Sequence, residues 1–299
     1  MVSGAAPAVS RRARRPALPR RLAALLADRS SAIGLAIVLL VVIAALGATW
    51  LAPYPGQGAG DPNIIAKLKP PSVAHPFGTD ELGRDLLSRV MFGGQVSLAM
   101  ALLVVLMGVL IGVPMGAAAG YLGGWVDEVL MRITDVFLAF PPLLLAIVVA
   151  TAMGPGFTSA TVALGITWWP WYARLARSQA ASLRSRPFVE AARVIGVGDA
   201  RILGRHIVPN LAGPILVQAT LDISAVVLVG AGLSFLGLGV QPPTADWGTM
   251  VNAGRTYFLG FPWYATFPGL TIVITSIGFV LLGDGLRRVL DLRPTESSW

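Results

Sequence analysis

A chain of 299 residues that is 55% hydrophobic and 13% charged, with mean hydropathy +0.71, is not a soluble globular protein. Soluble domains carry about 25% charged residues. The net charge of +8 does not point to nucleic acid either, because the basic residues stand in blocks beside long apolar runs, as orientation in a bilayer requires. Without cysteine there is no disulfide, no thiolate metal site and no cysteine nucleophile.

Residues 1–30 hold seven arginines (Arg11, Arg12, Arg14, Arg15, Arg20, Arg21 and Arg29) and no apolar period, and read as a basic tail held near anionic lipid. Residues 32–51 are a first span: about 20 apolar positions cross roughly 30 Å of hydrocarbon. The core of a cleaved signal peptide would be only about 7–15 residues. Trp50 and Tyr54 fall at the far interface. Residues 52–95 are polar and rich in Pro and Gly, and include HPFGTDELGRDLLSRVMFGG from His75 to Gly94. Apolar runs over 96–118, 136–153, 158–173, 211–236 and 265–283 bring the spans to six. Gly108, Gly112, Pro114, Gly116 and Gly120 in the second run, and Gly230, Gly232, Gly237 and Gly239 in the fifth, are small-residue faces suited to close helix packing.

Orientation follows from Lys and Arg. With the amino terminus inside, 18 basic residues lie on the inner side and five (Lys67, Lys69, Arg84, Arg89 and Arg255) on the outer side. Both termini and the 174–210 loop are therefore expected in the cytoplasm, and the 52–95 and 237–264 segments outside. Trp168, Trp169, Trp171 and Tyr172 then form an inner aromatic belt; Trp247, Tyr257, Trp263 and Tyr264 fall near the outer interface.

The polar stretch RPFVEAARVIGVGDARILGRHIVPN, Arg186 to Asn210, sits between spans four and five. Pro187 suits the first turn of a short helix running to Ile195, which Gly196 and Gly198 would end. Asp199 suits the N-cap of a second short helix that Pro209 would stop. Ala191, Ala192 and Gly196 are small enough to let another protein approach the backbone, as a plug built to be gripped.

The chain lacks a G-x-x-x-x-G-K-S/T phosphate loop, so it does not hydrolyse ATP in that manner itself. His75 and His206, the only histidines, fall on opposite sides of the membrane and share no metal site. Asp222 intrudes two to three turns into an apolar run; it either bonds a neighbouring helix or lines a translocation path. Asp135 and Asp284 lie at span ends, where interfacial water solvates them. An ion-coupled secondary transporter would need ionisable groups at mid-membrane, and one aspartate is thin support.

Glu190-Ala191-Ala192, then Gly196, then Pro209 resembles the EAA loop of ABC-importer permeases, EAA-x3-G-x9-I-x-L-P, with His206 and Val208 in place of the usual Ile and Leu. HPFGTDELGRDLLSRV and LSFLGLGVQPPTADWGTM (Leu233–Met250) resemble the C-type permease subunit of dipeptide and oligopeptide importers. These matches reach from about Ala32 to Arg293. One departure is Val229-Gly230, where relatives often carry an acid.

The resemblance implies an all-α membrane protein of six transmembrane helices with the MetI-like permease fold and cytoplasmic termini. It divides into a basic tail (1–30), a first helix with an outer segment (31–95), a five-helix core (96–286) with the coupling loop at 186–210, and a tail (287–299). It implies a bacterial inner-membrane permease of peptides, or of nickel chelates or glutathione, that works by alternating access. The implied partners are a second, B-type permease, two ATPase subunits holding ATP and Mg2+, and an extracytoplasmic substrate-binding protein. The chain itself would bind no cofactor and catalyse nothing. Glu190, Ala191, Ala192, Gly196 and Pro209 would couple to the ATPase. Asp246 and Trp247, with Gln241, Pro242 and Pro243, are candidates for an outer gate, beside Asp222 for the path. Gly78, Thr79, Asp80, Gly83, Arg84 and Asp85 match the family's outer motif. Capping by Thr79 or Asp80 and a contact of Asp85 with Arg84 or Arg89 would explain them structurally; receptor docking is the other reading.

Overall fold

The computed structural model describes residues 25–290; the basic tail up to residue 24 and the last residues, Arg293 among them, lie outside the described residues. Among the described residues there is no strand, only an isolated bridge between Thr79 and Asp85. The principal helices are α1 (Arg29–Leu46), α2 (Leu86–Leu122), α3 (Gly124–Leu138), α4 (Pro142–Met153), α5 (Phe157–Arg184), α6 (Pro187–Val194), α7 (Asp199–Ile202), α8 (Val208–Phe235), α9 (Trp247–Arg255) and α10 (Trp263–Leu290).

Aspartate caps start three of these. The Asp28, Asp85 and Asp246 carboxylates accept the backbone N–H of Ser31 (3.0 Å), Ser88 (2.8 Å) and Thr249 (3.1 Å), satisfying donors that a helix start leaves open. The Asp85 cap corrects the expected capping by Thr79 or Asp80. It also moves the start of the second helix from residue 96 to Leu86, giving a 37-residue helix. At 1.5 Å per residue that is about 55 Å, longer than the hydrocarbon layer is thick.

Among the described residues, four segments are long and apolar enough to cross a membrane: Arg29–Leu46, Leu86–Leu122, Asp199–Phe235 and Trp263–Leu290. The run expected as one span over 136–153 is instead broken. α3 and α4 meet at 81°, because Pro141 and Pro142 remove N–H donors and push Phe140 and Pro141 out of helical torsions. The amide of Gly156, just past α4, donates to the carbonyl of Leu238, just past α8 (3.3 Å). That bond ties the far end of the bent pair to the end of α8. The 158–173 run lies within α5, whose Trp, Thr and Arg residues leave it less apolar than those four.

The core is the seam between α2 and α5. Gly108, Gly112, Gly116 and Gly120 recur every four residues on one face of α2. A Cβ at Gly108 would stand 2.8 Å from Cδ2 of Tyr172; at Gly112, Gly116 and Gly120 it would overlap the carbonyl oxygens of Trp169, Ala173 and Arg177. The two backbones are in contact, as the small-residue reading expected. The fifth-run glycines do not form such a face: Gly230 meets Met100 at 3.2 Å, whereas Gly232 and Gly237 meet nothing within 4 Å. α1 packs on α10 through Gly34, Gly278 and Gly285, and Arg288 reaches Asp28. Leu40, Ile43, Leu46, Leu110 and Val148 are exposed, as lipid-facing side chains of a helical bundle are.

Candidate functional site

Polar structure gathers at the two ends of the bundle. At the arginine-rich end, α6 begins with Pro187 in its first turn, as expected, and ends one residue early, with Ile195 as C-cap. Gly196 follows at φ +79°, a left-handed conformation that favours glycine. Its amide donates to Arg193 O (2.9 Å) and that of Val197 to Ala192 O (3.0 Å), the paired closure of a Schellman turn. The small residues do not share one face. Ala192 is buried with Val189 against the chain's own core, while Glu190, Ala191 and Gly196 are exposed. Beside them stand two side chains that sequence reasoning passed over: Val194 is 87% exposed and Ile195 78%.

Beyond the turn, two expectations are corrected. Gly198, not Asp199, is the N-cap of α7, and the Asp199 carboxylate is taken by the Tyr121 hydroxyl at 2.6 Å. Pro209 does not stop a helix. It lies in the first turn of α8, reached from α7 through a wider turn over Leu203–Ile207, where its missing N–H costs nothing. Charge pairs brace the same end: Arg177 forks onto both Asp127 oxygens at 2.6 Å, and Arg174 meets Asp135 at 2.7 Å.

Asp222 lies on α8, where Gln218 donates to it at 3.0 Å. Its other carboxylate oxygen, Oδ2, and the Tyr172 hydroxyl of α5 are both buried without a hydrogen-bond partner among the described residues. A groove of about 760 Å³ between α5, α8 and α10 opens at the arginine-rich end, lined by Gln179, Asn210, Leu216, Gln218, Leu221 and Arg287.

At the opposite end the segment 52–85 is tied into a knot. Asp80 accepts the backbone amides of Leu82 and Arg84 and the Arg84 Nε (2.6 Å). Burial raises its carboxyl above the ordinary range, opposed by Arg84. Asp85 pairs with His75 Nδ1 at 2.9 Å, not with Arg84 or Arg89, which corrects that expectation; Arg89 approaches Asp80 at 3.8 Å. Thr79 donates to Ala66 O and accepts from Lys69 N (2.8 Å). Gly83 at φ +75° packs on Asn63, where a side chain would overlap the carbonyl; Gly78 at φ +76° lies against Trp263. Glu81 binds the Tyr264 hydroxyl, joining the knot to α10.

Asp246 and Trp247 are buried in the same end. Asp246 accepts from Ser97 at 2.8 Å, and the Trp247 indole N–H donates to Val90 O at 2.9 Å with its ring against Gly93 and Gly94 of α2. Arg89 donates to Pro243 O through both terminal nitrogens at 3.2 Å. No group of three His, Cys, Asp or Glu able to hold a metal occurs among the described residues.

The family described as "Binding-protein-dependent transport system inner membrane component" matches residues 112–296. The "Probable D,D-dipeptide transport system permease protein" of Escherichia coli is 44% identical over 258 residues, covering 85% of each chain. A glutathione transport system permease protein of Shigella sonnei is 44% identical over 254 residues, 85% of this chain and 83% of that one. A Brucella abortus protein named for a peptide transport system is 42% identical over 272 residues, 90% of each. Among solved structures, a chain of the MetNI methionine ABC transporter in inward-facing conformations shares the fold, with TM-score 0.53 and 20% identity over 66% of this chain and 94% of that one. An apolar helical bundle, a projecting polar loop at one end and a sequence match across most of its length make this chain a member of the inner-membrane components of binding-protein-dependent transport systems.

Proposed function

We propose that this chain is the C-type permease of an ATP-driven importer of short peptides, crossing the membrane six times with both termini in the cytoplasm. It pairs with a second permease, rests on two ATPase subunits that hold ATP and Mg2+, and receives substrate from an extracytoplasmic binding protein. The chain performs no chemistry and holds no cofactor; it converts ATPase closure into alternating access. The relatives named for D,D-dipeptides, peptides and glutathione support one substrate class, the short peptide, since glutathione is itself a tripeptide.

The observation that carries this reading is the tip of the 186–210 loop. Val194 and Ile195 stand almost fully exposed beside Glu190, on a helix whose other face is anchored by Val189 and Ala192. Apolar side chains held out at a polar end call for a protein partner. An ATPase groove with an apolar floor would bury them, and Glu190 would bond at its rim. The groove lined by Gln179, Gln218 and Arg287 opens at the same end, which supports a path for substrate there.

The test is co-purification of the tagged chain with its native neighbours in mild detergent, followed by ATP hydrolysis on the eluate. Ile195→Asp is expected to lower ATPase recovery at least tenfold, since burying an unpaired carboxylate costs several kcal/mol. Glu190→Lys should lower transport. A chain that purifies without any ATPase would instead favour a gradient-driven carrier built on Asp222.

A further inference from the structure

Tyr121 is the penultimate residue of α2 and only 1% exposed, yet its polar end is directed at the coupling loop. The hydroxyl donates to Asp199 Oδ1 at 2.6 Å, at the start of α7. It accepts from Arg193 Nε at 3.3 Å, in the last turn of α6, and the Arg193 guanidinium carbon lies 5.0 Å from the ring centroid. One phenol therefore joins both short helices of the loop to the end of the 37-residue α2. We infer that Tyr121 is the positioning residue that hands movement of the coupling loop to the transmembrane helices; this rests on the proposed ATPase contact.

The loop has other anchors, Val189, Ile202 and Ile207, all buried apolar side chains. Apolar burial is not directional and lets surfaces slide. A charge-assisted hydrogen bond has a fixed length and angle, and resists sliding. On the far side of the joint there is no slack. Gly120, the neighbour of Tyr121, lies against the Arg177 carbonyl, and the glycine row continues that contact back along α2. A displacement of α6 and α7 that reaches Tyr121 thus moves α2 and α5 as one body. Tyr121 reaches Asp199 across 78 positions of sequence and Arg193 across 72, so no local pattern foretold the joint.

The variants separate the bond from the packing. Tyr121→Phe keeps the ring and its face toward Arg193 but removes the hydroxyl. Asp199→Ala removes the acceptor, and Asp199→Asn restores one. Measured on the complete complex with its co-purified ATPase, using a radiolabelled dipeptide, the readout is substrate moved per ATP hydrolysed. Tyr121→Phe and Asp199→Ala are each expected to lower that ratio by about tenfold, the scale of one hydrogen bond to a charged group. The double variant should be no worse than either alone, because both remove the same interaction, and Asp199→Asn should recover most of the ratio.

An unchanged ratio in Tyr121→Phe overturns the inference, as does a fall in transport and hydrolysis by the same factor, which would make the residue merely structural. Failure of the underlying reading looks different: the unaltered chain would bring down no ATPase.

Discussion

Gly116 shows how little room one residue can have. A methyl group there would overlap the Ala173 carbonyl oxygen, backbone that cannot rotate away, so α2 and α5 would have to part. Gly232 is the contrasting case: it is helical on α8 with nothing within 4 Å of an added Cβ. Gly116→Ala should destabilise the chain by about 1–3 kcal/mol, the usual cost of overpacking. Gly232→Ala should be neutral or stabilising by up to about 1 kcal/mol, as alanine is the better helix former. Thermal unfolding of the purified chain in detergent compares the two, and equal losses would mean that the glycine row is not the seam. The four-residue glycine period was legible in the sequence because close packing is written in residue size. Its fifth-run counterpart had the same composition but no common face, and composition alone could not distinguish them.

At the scale of elements, starts and stops were legible where a single residue decides them. Pro187 and Gly196 bound α6 because each acts through its own backbone. The caps were harder to read, since Thr79, Asp80 and Asp85 are all suitable residues and only the folded knot decides among them. Asp80 is drawn into Arg84 and Asp85 is left to start α2. The 81° break between α3 and α4 was written in Pro141 and Pro142, but hydropathy alone ran the two helices together. α9 illustrates why a segment expected outside the membrane can be polar in sequence and buried in structure. Its cap Asp246 holds Ser97, and Trp247 fills the notch left by Gly93 and Gly94. Trp247→Ala should cost roughly 3–5 kcal/mol, as loss of a fully packed large side chain does. Asp246→Ala should cost about 1–2 kcal/mol, with Asp246→Asn recovering most of it because asparagine also caps. Unfolding midpoints in detergent report both. If Trp247→Ala left the midpoint in place but abolished uptake, the indole would be gating rather than bracing.

At the scale of the whole molecule, the contacts sort the chain into two ends. Asp28 with Arg288, Tyr121 with Asp199 and Asp127 with Arg177 lie at one; Ala45 with Gln95, Gly60 with Pro243 and Gly156 with Leu238 lie at the other. Traced through these contacts, the chain passes between the ends on each of α1, α2, the α3–α4 pair, α5, α8 and α10. The bent pair is the informative passage, because a break of that size can equally belong to a loop that turns back to the side it came from. The Gly156–Leu238 bond argues for a full crossing. It requires residues 154–156 to face the same compartment as the segment around Val73, away from Ser185. The absence of cysteine makes this directly measurable, since each introduced thiol is the only one present. Val73→Cys, fully exposed in the 52–85 segment, and Pro155→Cys are expected to react with a membrane-impermeant maleimide applied to spheroplasts. Ser185→Cys should react only after the membrane is permeabilised. Labelling of Val73→Cys but not Pro155→Cys would make the α3–α4 pair re-entrant. The reverse pattern at Val73 and Ser185 would invert the molecule, and would place the 186–210 loop where no ATP-hydrolysing partner could reach it.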